Sequence, residues 1–273
     1  SDTIIILHIP ATHDQAYLLS VPRDTEVDVP GHGKKKVTEA FFFGERNGGG
    51  WAGGAQLMSK TLNLATGIKF DGAAIINFGG FKRIIDALGG IHICLDQEVR
   101  SRHMWLVDGK PMWNHEANKV GGKKERVVHK KGCQEMQGWA ALDFSRQRYG
   151  VKGSDYGRQQ NQQKVIKAMA KKAMAEGLTN PLKLNGLLKA MEGALVVDTN
   201  GVPIEDFIFA LRGVGANEMV LLRTNGGNYN SVKVNGESRE RLNDVSKAMF
   251  KAVKNDALAE FITEEPSVVM PSK

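Results

Sequence analysis

Residues 73–95, AAIINFGGFKRIIDALGGIHICL, decide the fold class. Residues 73–77 are a short apolar run and read as a buried strand. Phe78–Leu88 carries Ile84, Ile85 and Leu88 on one helical face, and Gly89-Gly90 stops the helix. Ile91–Leu95 reads as a second strand. A strand, a helix and a strand in this order predict a βαβ unit, and with it an α/β fold.

Upstream, residues 3–9 and 16–21 are Ile-, Leu- and Val-rich strands joined by a hairpin-like connection at Pro10–Asp14. Residues 26–50 read as irregular: Pro30-Gly31 marks a turn, Lys34–Lys36 is a charge run and Gly48–Gly50 is a flexible stop. Residues 53–66 form a helix closed by Gly67. Downstream, residues 97–134 show no period and read as a long basic surface excursion tied back at Cys133. Helices are predicted over 135–142, 155–175, 181–193, 203–212 and 239–254, and a late strand over 218–223. One α/β domain over residues 1–262 is predicted, with a central mixed β-sheet flanked by helices, followed by a loose tail over 263–273.

The 273 residues are 41% hydrophobic and 25% charged, which excludes wholesale disorder. No run is long and apolar enough to span a bilayer. The formal charge is +7, with both signs plentiful, so a local basic patch suited to an anionic partner is expected. The chain opens at Ser1 without Met and enters a strand almost at once, which reads as a fragment with any anchor upstream. Zincin, EF-hand, Walker and nucleophile-elbow motifs are absent. The two cysteines, Cys94 and Cys133, are compatible with one disulfide or with two buried thiols.

Three arginine-bearing stretches stand out. SVPRDT (20–25) places Arg23 where a strand ends, the position at which α/β folds put their sites; a surface pair with Asp24 is the alternative. FSRQRYG (144–150) holds Arg146 and Arg148. Extended, these two point the same way as a two-pronged phosphate clamp; on a helix they would be separate solvated charges. DYGRQQNQ (155–162) offers Asp155 as an N-cap, with Arg158 and Gln162 on one face of the first two helical turns, where free N–H groups favour anions; a plain capped helix is the alternative.

Together with the opening Ser1–Ile4, with GGFKRIIDALGG (79–90) and with GWAAL (138–142), these stretches resemble the LytR–CpsA–Psr family of bacterial cell-wall proteins over residues 1 to about 165. The resemblance implies a phosphotransferase. It would move an anionic glycopolymer, of teichoic acid, capsule or arabinogalactan type, from a polyprenyl-pyrophosphate donor to a peptidoglycan acceptor. The donor lipid would lie in an apolar pocket between sheet and helices. By motif position, Arg23, Arg146 and Arg148 would be catalytic. With Arg158 and Gln162 they would also grip the pyrophosphate, and Asp2 would be a catalytic and Mg²⁺-binding carboxylate. Preorganised Arg and Mg²⁺ stabilise the charge that develops on the leaving group.

The family's further acidic G-x-D-x-R motif would precede Ser1, so Mg²⁺ binding is expected to be weakened. Asn161 and Thr38 also depart from the family's usual Arg and Asn. The resemblance further implies an actinobacterial origin, an N-terminal membrane anchor, a place on the outer face of the cytoplasmic membrane and a Cys94–Cys133 disulfide. A polyprenyl-pyrophosphate pyrophosphatase and a non-enzymatic binder of polyanion or cell wall are the alternative functions. No recognition-helix motif or basic–aromatic interleaving is present, so no nucleic-acid partner is expected.

Overall fold

The computed structural model describes residues 3–175, 195–215 and 218–270. It is a mixed α/β fold whose internal contacts gather into two compact units, one of Ser1–Ile76 with Leu195–Ser272 and one of Asn77–Ala194.

In the first unit, β1 (Ile4–His8) pairs antiparallel with β2 (Ala16–Val21), as the two apolar runs predict. Every β2 residue is buried, which suits an unbroken apolar run in a central strand. Residues 26–50 are ordered rather than irregular. They form the hairpin β3 (Glu26–Val29) and β4 (Gly33–Lys36), then α1 (Val37–Gly44), one π turn over Glu45–Gly49, and α2 (Gly50–Thr66). Pro30-Gly31 is the turn expected, and Gly48 and Gly50, at φ 84° and 52° with open space about them, flank the start of α2, whereas Gly44 and Gly53 serve packing. A Cβ on Gly44 would meet the Gly53 carbonyl oxygen at 2.3 Å, and one on Gly53 would meet that of Gly44 at 2.6 Å. α1 and α2 therefore touch through backbone, which only glycine permits. Gly67 closes α2 in the left-handed region, its N–H donating to the Asn63 carbonyl at 2.7 Å.

Beyond β5 (Ala73–Ile76) the chain enters the second unit with α3 (Phe78–Ala87), whose first turn is capped by Asn77 Oδ1 accepting from Gly80 N at 2.8 Å. There follow β6 (Ile91–Leu95), β7 (Val99–Val107), β8 (Lys110–Trp113), the single turn α4 (Asn114–Ala117), β9 (Lys124–His129), β10 (Gly132–Met136), α5 (Gly138–Arg146) and α6 (Ser154–Ala175). The predicted βαβ unit is not formed, because β5 and β6 belong to different sheets and each pairs antiparallel, β6 with β10. Apolar patterning located both strands but carries no information on partners. The region read as an excursion is the antiparallel sheet β8-β7-β9. A bulge between Arg100 and Trp105 breaks its alternation, which hid the strand period. Ile85, Ile91, Ile93, Phe144 and Val165 centre this unit's core.

The chain returns to the first unit with β11 (Leu195–Asp198), antiparallel to β5, then α7 (Ile204–Arg212) and β12 (Met219–Arg223). β12 lies parallel to β2 and completes the mixed sheet β1-β2-β12. The hairpin β13 (Ser231–Val234) and β14 (Glu237–Glu240) takes the start of the helix predicted from 239, so α8 spans Asp244–Lys254 behind an Asn243 cap and α9 spans Leu258–Glu264. Residues 263–270 are not a loose tail. Val268 and Met270 are buried, and Met270 N donates to the Leu221 carbonyl at 2.8 Å. Ile6, Leu19, Val29, Leu62, Leu222 and Phe250 form the core here. The helix predicted over 181–193 lies outside the described residues.

Cys94 and Cys133 face each other in the β6–β10 ladder and are joined by a disulfide, S–S 1.99 Å. The bond closes a loop of sequence separation 39 that contains β7, β8 and β9. Chain-entropy arguments give such a loop roughly 4 kcal/mol of stabilisation. The Cys94→Ala/Cys133→Ala variant is expected to unfold at clearly lower urea, and the intact protein to show no titratable thiol after denaturation.

Candidate functional site

The second unit carries a charged group where none is cheap. Asp143 sits inside α5, fully buried between Leu142 and Phe144. Its Oδ2 lies 2.8 Å from His129 Nε2, and its Oδ1 accepts from Ser101 Oγ and from Gln147 Nε2, each at 2.8 Å. Four side chains from β7, β9, α5 and the residue after α5 thus satisfy one another. A buried carboxylate is tolerated only on such terms.

The same side chains hold the β7 bulge. Ser101 Oγ accepts from His103 N at 3.0 Å and Met104 N at 2.9 Å, while Gln147 Oε1 accepts from Arg102 N at 2.9 Å. Asn114 Nδ2 donates to the Arg102 carbonyl at 2.7 Å. A bulge fixed in this way re-aims side chains. Arg102 is exposed, and His103 turns into a cleft that Arg146 shares.

That cleft has a volume of about 520 Å³ and is lined by Phe78, Lys82, His103, Trp113, His115 and Arg146 among others. The Arg146 guanidinium lies 4.4 Å from the Phe78 ring centroid and 5.1 Å from that of Trp113. Stacking on aromatic faces orients the guanidinium without using its N–H donors. Lys82 is paired with Asp86 at 2.8 Å, whereas Arg146 has no carboxylate partner among the described residues. The His103 pKa is lowered, first by burial and then by the Arg146 charge, against weaker upward pulls from Asp143 and a hydrogen bond to the Arg146 backbone. The cleft therefore combines a neutral imidazole with an available guanidinium and two aromatic faces, a set suited to an anion with an apolar or sugar portion.

The arginines singled out in the sequence have different settings. The extended clamp of Arg146 and Arg148 is not formed. α5 continues through Arg146, and Gln147 leaves the helix at φ −67°, ψ 128°. Arg148 is exposed, its Nη2 donating to the Tyr149 hydroxyl at 3.3 Å. Helical hydrogen bonds and the Asp143–Gln147 contacts overrule the weak strand phase of this stretch. Arg158 Nη2 pairs with Asp155 Oδ1 at 2.7 Å in the first turn of α6, so Asp155 is inside the helix rather than its N-cap. One turn on, Gln162 is buried and its Oε1 has no partner; Arg158 Nε and Gln159 Oε1 are likewise buried and unpartnered. Arg23 belongs to the first unit, where its Nε lies 3.8 Å from Asp24 Oδ1, the pairing foreseen as its alternative. Asp2 lies outside the described residues.

Among the described residues, one group of three His, Cys, Asp or Glu side chains has its ligand atoms close together. It consists of His92, Cys94 and Cys133, and both sulfurs are spent in the disulfide. Mg²⁺ asks for oxygen ligands, so this group does not fit it. Sequence reasoning missed Asp143, Ser101, His129 and Gln147, together with Phe78, His103 and Trp113. An acid enclosed by Leu142 and Phe144 was a readable signal for the network. His103 had none, since its direction depends on the bulge.

A model of the LytR_cpsA_psr family matches residues 1–251. The protein of Corynebacterium glutamicum described as "Probable cell wall biosynthesis protein LcpB" is 32% identical over 198 residues, covering 72% of this chain and 40% of that protein. The "Polyisoprenyl-teichoic acid--peptidoglycan teichoic acid transferase TagU" of Enterococcus faecalis is 31% identical over 64% of this chain and 48% of its own length. The chain thus spans less than half the length of these curated relatives. Among solved structures, Bacillus subtilis TagV superposes with a TM-score of 0.68 at 19% identity, covering 94% of this chain and 89% of that one. TagT bound to LI-WTA gives 0.64 at 22% identity, covering 94% and 85%. These two likenesses establish the fold.

Two outcomes follow from the geometry. Asp143→Ala strips partners from His129, Ser101 and Gln147 in a dry core, and should cost about 3–5 kcal/mol in urea unfolding. His103, with Arg146, Lys82 and His115 about it, has a folded pKa below its unfolded value, so the unfolded chain takes up this proton first. Stability should fall as pH drops below roughly 6.5. His103→Gln should flatten that part of the pH–stability curve, measured as urea midpoints across the histidine range.

Proposed function

The chain belongs to the LytR_cpsA_psr family, and on that premise we propose that it is a phosphotransferase of cell-wall assembly. Its donor is an anionic glycopolymer linked to polyprenyl pyrophosphate, and its acceptor is a hydroxyl of peptidoglycan. The observation that carries this reading is Arg146: a guanidinium held on Phe78 and Trp113 in an open cleft, with no carboxylate partner among the described residues. Arg148, Arg158 and Gln162 are assigned to the same pyrophosphate by the family's pattern, and Arg23 keeps the role the resemblance implies. The unpartnered buried atoms of Arg158 and Gln162 support an anionic or hydroxyl-bearing ligand at the start of α6.

In the reaction the acceptor oxygen bonds to the glycan-bearing phosphorus and the anhydride P–O bond breaks. Polyprenyl phosphate leaves with the negative charge. Guanidinium groups fixed before the reaction stabilise that charge more in the transition state than in the ground state. The hydroxyl's proton needs an acceptor. His103, held neutral in the same cleft, is the group assigned to take it. The disulfide fits an oxidising location, here the outer face of the cytoplasmic membrane, where a lipid-linked donor meets peptidoglycan. Among the described residues no helix is long and apolar enough to cross a membrane, so attachment to the bilayer is assigned to the lipid substrate or to a segment outside those residues.

The test supplies a polyprenyl-pyrophosphate-linked glycan, with and without peptidoglycan, and follows both polyprenyl phosphate and wall-linked glycan. Linkage by the wild type supports the transferase. Release with water as sole acceptor supports the pyrophosphatase, and no release supports a binder. Losing a charged hydrogen bond to phosphate costs roughly 1.5–3 kcal/mol, so Arg146→Ala should lose about 10- to 100-fold in turnover with an unchanged melting temperature. Arg146→Lys should lose most of it too, because the stacked fork goes with the guanidinium.

A further inference from the structure

A second basic cleft lies on the β7–β9 sheet, and the transfer reading leaves it unused. Its volume is about 420 Å³, and Arg100, Arg102, Arg126 and Tyr149 line it, with Glu98 as its one acid. Arg100 and Arg102 share the exposed face of β7, because Val99 and Ser101 between and before them point inward. Glu98 pairs with Arg100 at 3.1 Å, which leaves Arg102 and Arg126 without a carboxylate among the described residues. Arg126 is not loose: its guanidinium lies 3.6 Å from the Trp105 ring centroid and donates to Asn114 Oδ1 at 3.2 Å. Arg102 is set by the bulge, its N–H and carbonyl held by Gln147 and Asn114. Tyr149 is 60% exposed.

Like charges gathered on one rim repel one another. The chain has 30 acidic residues to disperse among them, yet this rim holds one. Guanidinium forks match phosphate oxygens in pairs, and an exposed tyrosine ring offers a face on which a sugar stacks. The volume falls in the range of small-ligand sites, roughly 300–1,000 Å³. We infer that this cleft binds the phosphate-bearing glycan chain of the donor, away from its lipid, and so selects anionic over neutral polymers. The inference rests on the transfer reading for the identity of the polymer, but the binding itself does not need turnover.

The experiment titrates a lipid-free poly(glycerol phosphate) oligomer, and an uncharged dextran oligomer of equal length, into the protein at low and physiological salt. The wild type is expected to bind the charged oligomer, more weakly as salt rises, and not the dextran. Arg102→Glu, whose side chain has no carboxylate partner among the described residues, should weaken binding at least about 10-fold at an unchanged melting temperature. Arg126→Gln should move the affinity in the same direction. Lys251→Ala, on the exposed face of α8 and outside both clefts, should bind the oligomer like the wild type. Equal binding by Arg102→Glu and wild type, equal binding of dextran, or no binding of the charged oligomer at low salt would each overturn the inference. Oligomer binding without transfer by the wild type refutes the transfer reading and leaves this cleft standing; transfer without oligomer binding does the reverse.

Discussion

The second unit is organised around one carboxylate that should not be comfortable where it is. Taking an ionised group out of water costs several kcal/mol after relaxation, and Asp143 is fully buried. It is stable there because His129, Ser101 and Gln147 converge on its two oxygens. Those partners are not spare groups. Ser101 and Gln147 also take the bulge amides of β7, so the position of the carboxylate fixes the path of the backbone from Ser101 to Met104. That path in turn points Arg102 to one cleft and His103 to the other. Arg146 leaves the same helix one turn beyond Asp143, so helix, bulge and both clefts share a single anchor.

What could be read from the sequence divides along the same physical line. β1, β2 and β12 and the helices α2 and α3 were legible because each buries one uninterrupted periodic face or an unbroken apolar run. Pairing was not legible: β5 and β6 look like the two strands of a crossover and instead join separate antiparallel ladders. The β8-β7-β9 sheet was missed because its bulge shifts the register between Arg100 and Trp105, and the apolar alternation fails at that point. Gly48–Gly50 is visible as punctuation, but nothing in the sequence marks Gly44 and Gly53 as the pair that lets two helices touch.

The candidate site was legible as a set of residues and not as an arrangement. The arginines of the family pattern were found by their order along the chain. Their geometry depends on partners far away in sequence: Arg146 on Phe78 and Trp113, Arg126 on Trp105. In both cases the aromatic ring replaces the carboxylate that usually holds an arginine. The difference matters chemically. A carboxylate neutralises the charge and occupies the N–H groups, whereas a ring face orients the guanidinium and leaves both for a ligand.

Stability of these clefts has two separate sources that act on different states. The β8-β7-β9 sheet lies wholly between Cys94 and Cys133, and much of its outer surface is charged. A three-stranded sheet with one face in water has limited apolar area to bury. The disulfide, set directly across the β6–β10 ladder, restricts the unfolded chain and makes closing the loop less costly. It does not choose a register. That choice is made in the folded state by the Asp143 network, since a slip of one residue in β7 would remove Ser101 from the carboxylate and leave buried polar groups unpaired. The cross-link therefore makes it easier for the sheet to form, and the buried carboxylate decides which way its arginines face.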